Sequence, residues 1–198
     1  MKRLRAGLAA LPEATTALGF GTAWLAPALV SVPFLKTLLA TLLLEFLAVH
    51  AGGFLRGYAE SHGDRKGRFG VAVGALGFAG LYLGFGWMLC LAFGTQWPLL
   101  ALAMVVGAKV IPLLGAKASD DGDHGMWGIS TAAYVMVLVI TSIVPMPGPT
   151  FDAAMLSALD LESGTSSWSN DPNRPFAAGT IYFGLLAYAR YRLTRDYS

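Results

Sequence analysis

Three ionisable side chains fall in stretches otherwise apolar enough to cross a membrane: Glu45, His50 and Lys109. An ionisable group in hydrocarbon is costly, so each is a functional candidate by default. Glu45 stands about midway between Lys36 and Arg56, which places it near the middle of its stretch. His50 is five residues further on. Lys109 precedes Lys117 by eight residues, roughly 12 Å of helix, so its depth falls between those of Glu45 and His50. A carboxylate and an ammonium at matched depth on separate helices are expected to pair. Two chemistries fit the trio. One is a proton or cation relay, because burial and a neighbouring charge move carboxyl and amine affinities for protons, and imidazole titrates near neutrality. The other is a structural pair that fixes helix packing, with His50 bonded to a backbone carbonyl or a hydroxyl. Glu45 and His50 stand about 140° apart around a helix, so they do not share one face.

The densest polar run is Asp120-Asp121-Gly122-Asp123-His124. Asp121, Asp123 and His124 could ligate a divalent metal; the competing reading is a solvated turn. No Glu closes a twelve-residue calcium loop, and no Ala-Arg follows as in membrane CDP-alcohol phosphotransferases. His62 and Asp64 are the nearest candidates to complete such a set. No HExxH, CxxC or GxSxG pattern occurs, and the lone Cys90 reads as a small apolar residue. No cofactor is implied. Gly84-Phe85-Gly86 lacks the preceding strand and third glycine of a dinucleotide loop. Gly70, Gly74, Gly77, Gly80 and Gly84 form a stripe with two GxxxG pairs, which predicts a close helix–helix approach within the chain or, secondarily, between two copies.

The elements that must hold these residues follow from composition. Of 198 residues, 55% are hydrophobic and 13% charged, against about 25% charged in a soluble domain. Mean hydropathy is +0.57. That excludes a polar-shelled soluble enzyme and a disordered chain; one cysteine and no glycine period exclude disulfide scaffolds and collagen. A single integral membrane domain over 1–198 is expected, all α-helical and polytopic. A crossing needs roughly 20 mostly apolar residues. Leu35–Gly57, Phe69–Phe93, Trp97–Ala116, Met126–Val144 and Phe176–Tyr191 meet or approach that. Ala14–Phe34, broken by Pro27 and Pro33, is the sixth, with a turn at Ser31-Val32-Pro33. Read as re-entrant instead, it leaves five crossings.

With six crossings, eleven Lys and Arg residues collect on one side and two on the other, so both termini are expected in the cytoplasm. The net charge of +2 is spread over these inner segments beside lipid and implies no nucleic-acid partner. Residues 1–12 resemble a basic leader, but Pro12 and Glu13 interrupt its apolar core. An amphipathic cytoplasmic N-terminus with Leu4, Leu8 and Leu11 toward lipid is expected instead. The extracytoplasmic loop is 145–175. Pro145, Pro147 and Pro149 end a helix there, and Thr150 is expected to cap a short interfacial helix carrying Phe151, Met155, Leu156 and Leu159, stopped at Gly164. Trp24, Trp97, Trp127 and Trp168 are placed as interfacial anchors.

The run from Leu44-Glu45-Phe46 through His50-Ala51-Gly52-Gly53-Phe54 resembles a segment of uncharacterised bacterial inner-membrane proteins. So do Pro145-Met146-Pro147 through Leu159-Asp160-Leu161 to Trp168, Pro172 and Arg174, and Gly179-Thr180-Ile181-Tyr182-Phe183-Gly184. The resemblance implies a multi-pass protein of the bacterial plasma membrane and no particular chemistry. Two function classes remain: a small proton- or cation-coupled transporter or channel-like subunit using Glu45, His50 and Lys109, or a non-catalytic structural or assembly subunit. The partners expected are the lipid bilayer and a second copy or a membrane-complex subunit.

Overall fold

The structure, a computed structural model, describes residues 2–94, 96, 98–104, 106, 123–159 and 171–196; 51–72 and 123–127 are described as helical backbone. Every regular element among them is helical. Helix α1 is Lys2–Leu25, followed by a 3-10 turn at Pro27–Leu29. Helix α2 is Val32–Phe93, and residues 98–104 form α3. Helices α4 (Asp123–Ile143), α5 (Ala153–Ala158) and α6 (Asn173–Asp196) complete the order. The chain divides into two compact units, one of 1–42 with 128–198, the other of 43–127.

In the first unit α1 and α6 lie antiparallel. Phe20 packs on Phe176, Phe183 and Gly179, Gly21 on Thr180, and Glu13 meets Arg190. The sequence dictates this seam. Ala6, Ala10, Glu13, Ala17 and Phe20 repeat at 4-3-4-3 spacing along α1. Phe176, Gly179, Phe183, Leu186 and Arg190 repeat at 3-4-3-4 along α6. Both are the alternation that keeps a stripe facing a neighbouring helix. Pro12 sits inside α1 and cannot donate to Leu8; its carbonyl is covered by the Thr15 and Thr16 hydroxyls at 2.9 and 2.8 Å. Because the pair is antiparallel, the Lys2 end of α1 and the Asp196 end of α6 lie together.

Three expectations change here. The stretch 14–34 is not one helix: α1 stops at Leu25 and α2 begins at Val32, with Pro27 starting the 3-10 turn and Pro33 tolerated in the first turn of α2. Residues 2–12 are continuous with that first helix rather than a separate arm. The polar stretch around Arg65, Lys66 and Arg68, expected as a loop, is helical backbone inside α2, where no proline interrupts 34–97.

Among the described residues, two helical stretches are long and apolar enough to cross a membrane, Val32–His50 and Val73–Ala92; a shorter apolar one is Gly128–Ile143. Only 33% and 22% of the two longer windows are buried. In the second unit Leu44, Ala75, Tyr82, Leu102 and Val106 form a buried cluster, with Leu47, Phe78 and Leu89 against it.

Candidate functional site

Glu45 and His50 both lie on α2, in the stretch Val32–His50. Glu45 is half-buried. His50 places Nδ1 2.8 Å from the Phe46 carbonyl oxygen, one turn back, and its ring 4.0 Å from the Phe46 ring. A neutral imidazole therefore carries its proton on Nδ1, donates it to Phe46, and leaves Nε2 as acceptor. Lys109 and Asp121 lie outside the described residues, so the expected Glu45–Lys109 contact does too. Asp123 and His124 start α4 as backbone. Among the described residues no group of three or more potential metal ligands converges.

Gly77, Gly80 and Gly84 of the glycine stripe do not pack against another helix of this chain among the described residues. At Gly77, Gly80 and Gly84 an added Cβ would meet nothing within 4 Å. The buried residues Ala75, Tyr82, Gly86 and Cys90 run along the opposite side. There Gly86 is the close approach: a Cβ would stand 3.2 Å from Leu99 Cδ1, 3.3 Å from Leu102 Cδ2 and 3.4 Å from the Leu99 Cα. Gly74 is half-buried, and Gly70 is described as backbone.

The densest described polar arrangement was not among the sequence candidates. It closes the end of the first unit where α1 stops and α6 starts. Arg174, with only 13% of its side chain exposed, directs Nη1 to the carbonyls of Thr141 and Ser142, at 3.2 and 2.6 Å. Those carbonyls end α4 and would otherwise lack helical partners; a guanidinium also suits the negative end of a helix dipole. Nε of Arg174 donates to Asp171 Oδ2 at 3.1 Å, while Asp171 Oδ1 accepts from the Asn173 amide at 3.2 Å. Trp24 Nε1 donates to the Pro147 carbonyl at 2.8 Å, and Asn173 Nδ2 reaches the Pro149 carbonyl at 3.4 Å. Side chains from α1 and α6 thus take up the Pro147 and Pro149 carbonyls of the segment that follows α4.

The loop helix α5 forms, but its cap is Asp152 rather than Thr150: Asp152 Oδ1 accepts from the Met155 amide at 2.6 Å. Its flanking apolar residues Phe151 and Leu159 are buried, with Phe151 stacked on Phe176 at 5.6 Å. Gly164, the expected stop, lies outside the described residues.

A second missed pair is Glu13–Arg190, Oε1 to Nη1 at 3.0 Å, with side chains 12% and 42% exposed. The other Glu13 oxygen is buried and has no hydrogen-bond partner. The seam spacing could have found it, since Glu13 interrupts a run of alanines facing α6. Tyr134 adds a third tie, donating to the Leu42 carbonyl at 3.2 Å and meeting Tyr182 edge-on at 5.1 Å.

Chemically, most of these groups bind backbone or one another across helices. Comparison with protein-family models, with curated proteins and with solved structures finds no match.

Proposed function

We propose that the chain is an integral protein of a bacterial plasma membrane, acting as a non-catalytic structural or assembly subunit. The observation that carries this is Arg174. It binds two carbonyls of α4 and Asp171 rather than facing an open site. Glu13, Trp24 and Tyr134 act in the same manner. Buried polar groups used this way specify how helices pack. Membrane embedding is supported by the two long apolar stretches and by how little of each is buried.

Six crossings with both termini in the cytoplasm remain the topology proposed. The antiparallel α1–α6 pair supports placing the termini on one side. Crossing by both Val32–His50 and Val73–Ala92 requires the chain to reverse direction between them. Leu44 and Ala75 would stand about 46 Å apart on a straight helix, yet they belong to one buried cluster. Reporter fusions after Arg68 and Ser198 are expected to read cytoplasm, and one after Ser167 outside. A cytoplasmic signal at Ser167 refutes the topology.

The subunit assignment is tested by purification from native membranes with mass spectrometry. A stable complex with another protein is expected, and a lone oligomer counts against it. A second reading, proton- or cation-coupled transport, is favoured by one observation: a carboxylate and an imidazole, Glu45 and His50, within one apolar stretch. Under that reading Glu45→Gln and His50→Gln fold normally and fail to complement a deletion. Under the subunit reading both complement.

A further inference from the structure

The free ends of α1 and α6 combine charge with exposed apolar surface. On α1, Ala6, Ala10 and Glu13 occupy the face turned to α6. Leu4, Leu8 and Leu11, at 4-3 spacing, occupy the opposite face and are 71%, 61% and 52% exposed. Arg3 and Arg5 stand about 100° to either side of Leu4, and both are exposed. From α6 come exposed Arg192, Arg190 with its guanidinium on Glu13, and Arg195 over the Tyr191 ring at 5.9 Å. Tyr188, nearby, is 63% exposed. By sequence, residues 2–13 and 188–196 hold six basic residues (Lys2, Arg3, Arg5, Arg190, Arg192, Arg195) and two acids, Glu13 and Asp196, and Glu13 is already paired.

We propose that this end is a docking surface for an anionic phospholipid, with Arg3, Arg5 and Arg192 on the phosphate and the Leu4–Leu8–Leu11 stripe along an acyl chain. The proposal rests on the membrane reading above. The argument is one of complementarity. A soluble anion would answer the arginines and leave three leucines in water. A zwitterionic lipid would cover the leucines and leave the charge excess unmatched. An anionic phospholipid answers both, since guanidinium pairs with phosphate in a planar, two-pronged geometry and arginine stems lie readily along apolar surface. Exposed tyrosine at the same level is what an interface between hydrocarbon and headgroups selects.

The test uses the full chain in a non-ionic detergent. Thermal denaturation is followed as phosphatidylglycerol, phosphatidylcholine or water-soluble glycerol phosphate is added. Phosphatidylglycerol is expected to raise the midpoint, with little effect from the other two. The variant R3Q/R5Q/R192Q is expected to bind phosphatidylglycerol about a hundredfold more weakly, at roughly fivefold per basic residue removed. Arg3→Gln alone, at an exposed position, is expected to show the roughly fivefold step if the triple variant folds poorly. Equal effects of the two lipids, an effect of glycerol phosphate alone, or unchanged binding by both variants would overturn the proposal. So would an acidic protein retained by wild type at this end and lost from the variants. If alkaline carbonate strips the wild-type protein from native membranes, the membrane reading falls as well. Lipid indifference in a carbonate-resistant protein overturns this proposal only.

Discussion

Gly179 offers the sharpest test of the α1–α6 seam. An alanine there would put its Cβ into the Phe20 ring, against Cγ, Cδ1 and Cε1. Carbon atoms settle at about 3.5–4.0 Å, so the ring must retreat. It has nowhere to go: Phe20 is fully buried, with Phe183 stacked at 5.6 Å and Phe176 at 6.4 Å. Overpacking of this kind costs about 1–3 kcal/mol. Replacing glycine by alanine inside a helix returns about 0.8–1.0 kcal/mol of propensity. Because the added Cβ falls within the ring itself, the upper half of that cost applies, and the net expectation for Gly179→Ala is a loss of about 1–2 kcal/mol. At about 2–4 °C per kcal/mol for a chain of this size, the midpoint should fall by about 2–8 °C in a detergent melt followed by circular dichroism. Phe20→Leu removes the obstructing ring edge, so in that background Gly179→Ala should be neutral or stabilising. If Gly179→Ala alone raises the midpoint, or if the two changes add without coupling, the two residues do not touch and the seam is wrongly drawn.

The Glu13–Arg190 pair should respond asymmetrically in the same melt. Arg190→Gln strands a mostly buried carboxylate and should cost about 1–2 kcal/mol, below the 3–5 of a fully buried pair because Arg190 is 42% exposed. Glu13→Gln should stay within about 1 kcal/mol; equal losses would contradict the burial difference. Gly77→Ala, which meets open space, should hold or raise the midpoint, whereas Gly86→Ala, against Leu99 and Leu102, should melt below it; the reverse order would restore the glycine stripe to the packed face. Arg174→Met should cost about 2–4 kcal/mol, since two carbonyls and Asp171 each lose a charged donor. Wild-type stability in that variant would mean that the α4 end is held by other contacts.

Much of the helical content was legible because it rests on composition and on proline placement. The end of α4 near Pro145 and the start of α2 near Pro33 both follow from a ring that removes a donor. What failed was the assumption that polarity breaks a helix. Gly63-Asp64-Arg65-Lys66-Gly67-Arg68 reads as a loop by charge, yet its backbone is helical, and the reversal that joins Leu44 to Ala75 is made between His50 and Val73 without a proline. The cap expected at Thr150 falls instead at Asp152, a residue of at least equal capping ability. The choice fell to Asp152 because Phe151 is stacked on Phe176, which leaves the next residue to start the helix. Arg174 could not be placed from sequence at all, since its partners at Thr141 and Ser142 are more than thirty residues away.

The buried faces teach a separate lesson. In water, the large apolar side chains mark the side of a helix that packs. Here Leu4, Leu8, Leu76, Leu81, Met88 and Leu91 all point outward. The inward positions hold leucines and phenylalanines too, such as Leu35, Leu102 and Phe20, but beside them stand Ala6, Ala10, Glu13, Gly179, Thr141 and the hydrogen-bonded Tyr134. Large apolar residues on both faces fit a hydrocarbon solvent, where burying a leucine against another helix gains little over leaving it in lipid. Small size and polarity then become the useful marks of a seam. The alanine stripe of α1 obeys this rule, and it carries Glu13 to Arg190. The glycines of α2 mislead under the same rule, because size alone does not name the partner. Gly86 packs since Leu99 and Leu102 fill the space before it, while Gly77, about two and a half turns earlier and so on the other side, has no such neighbours. A small residue therefore marks a seam only where a large residue on a second element is placed to fill it.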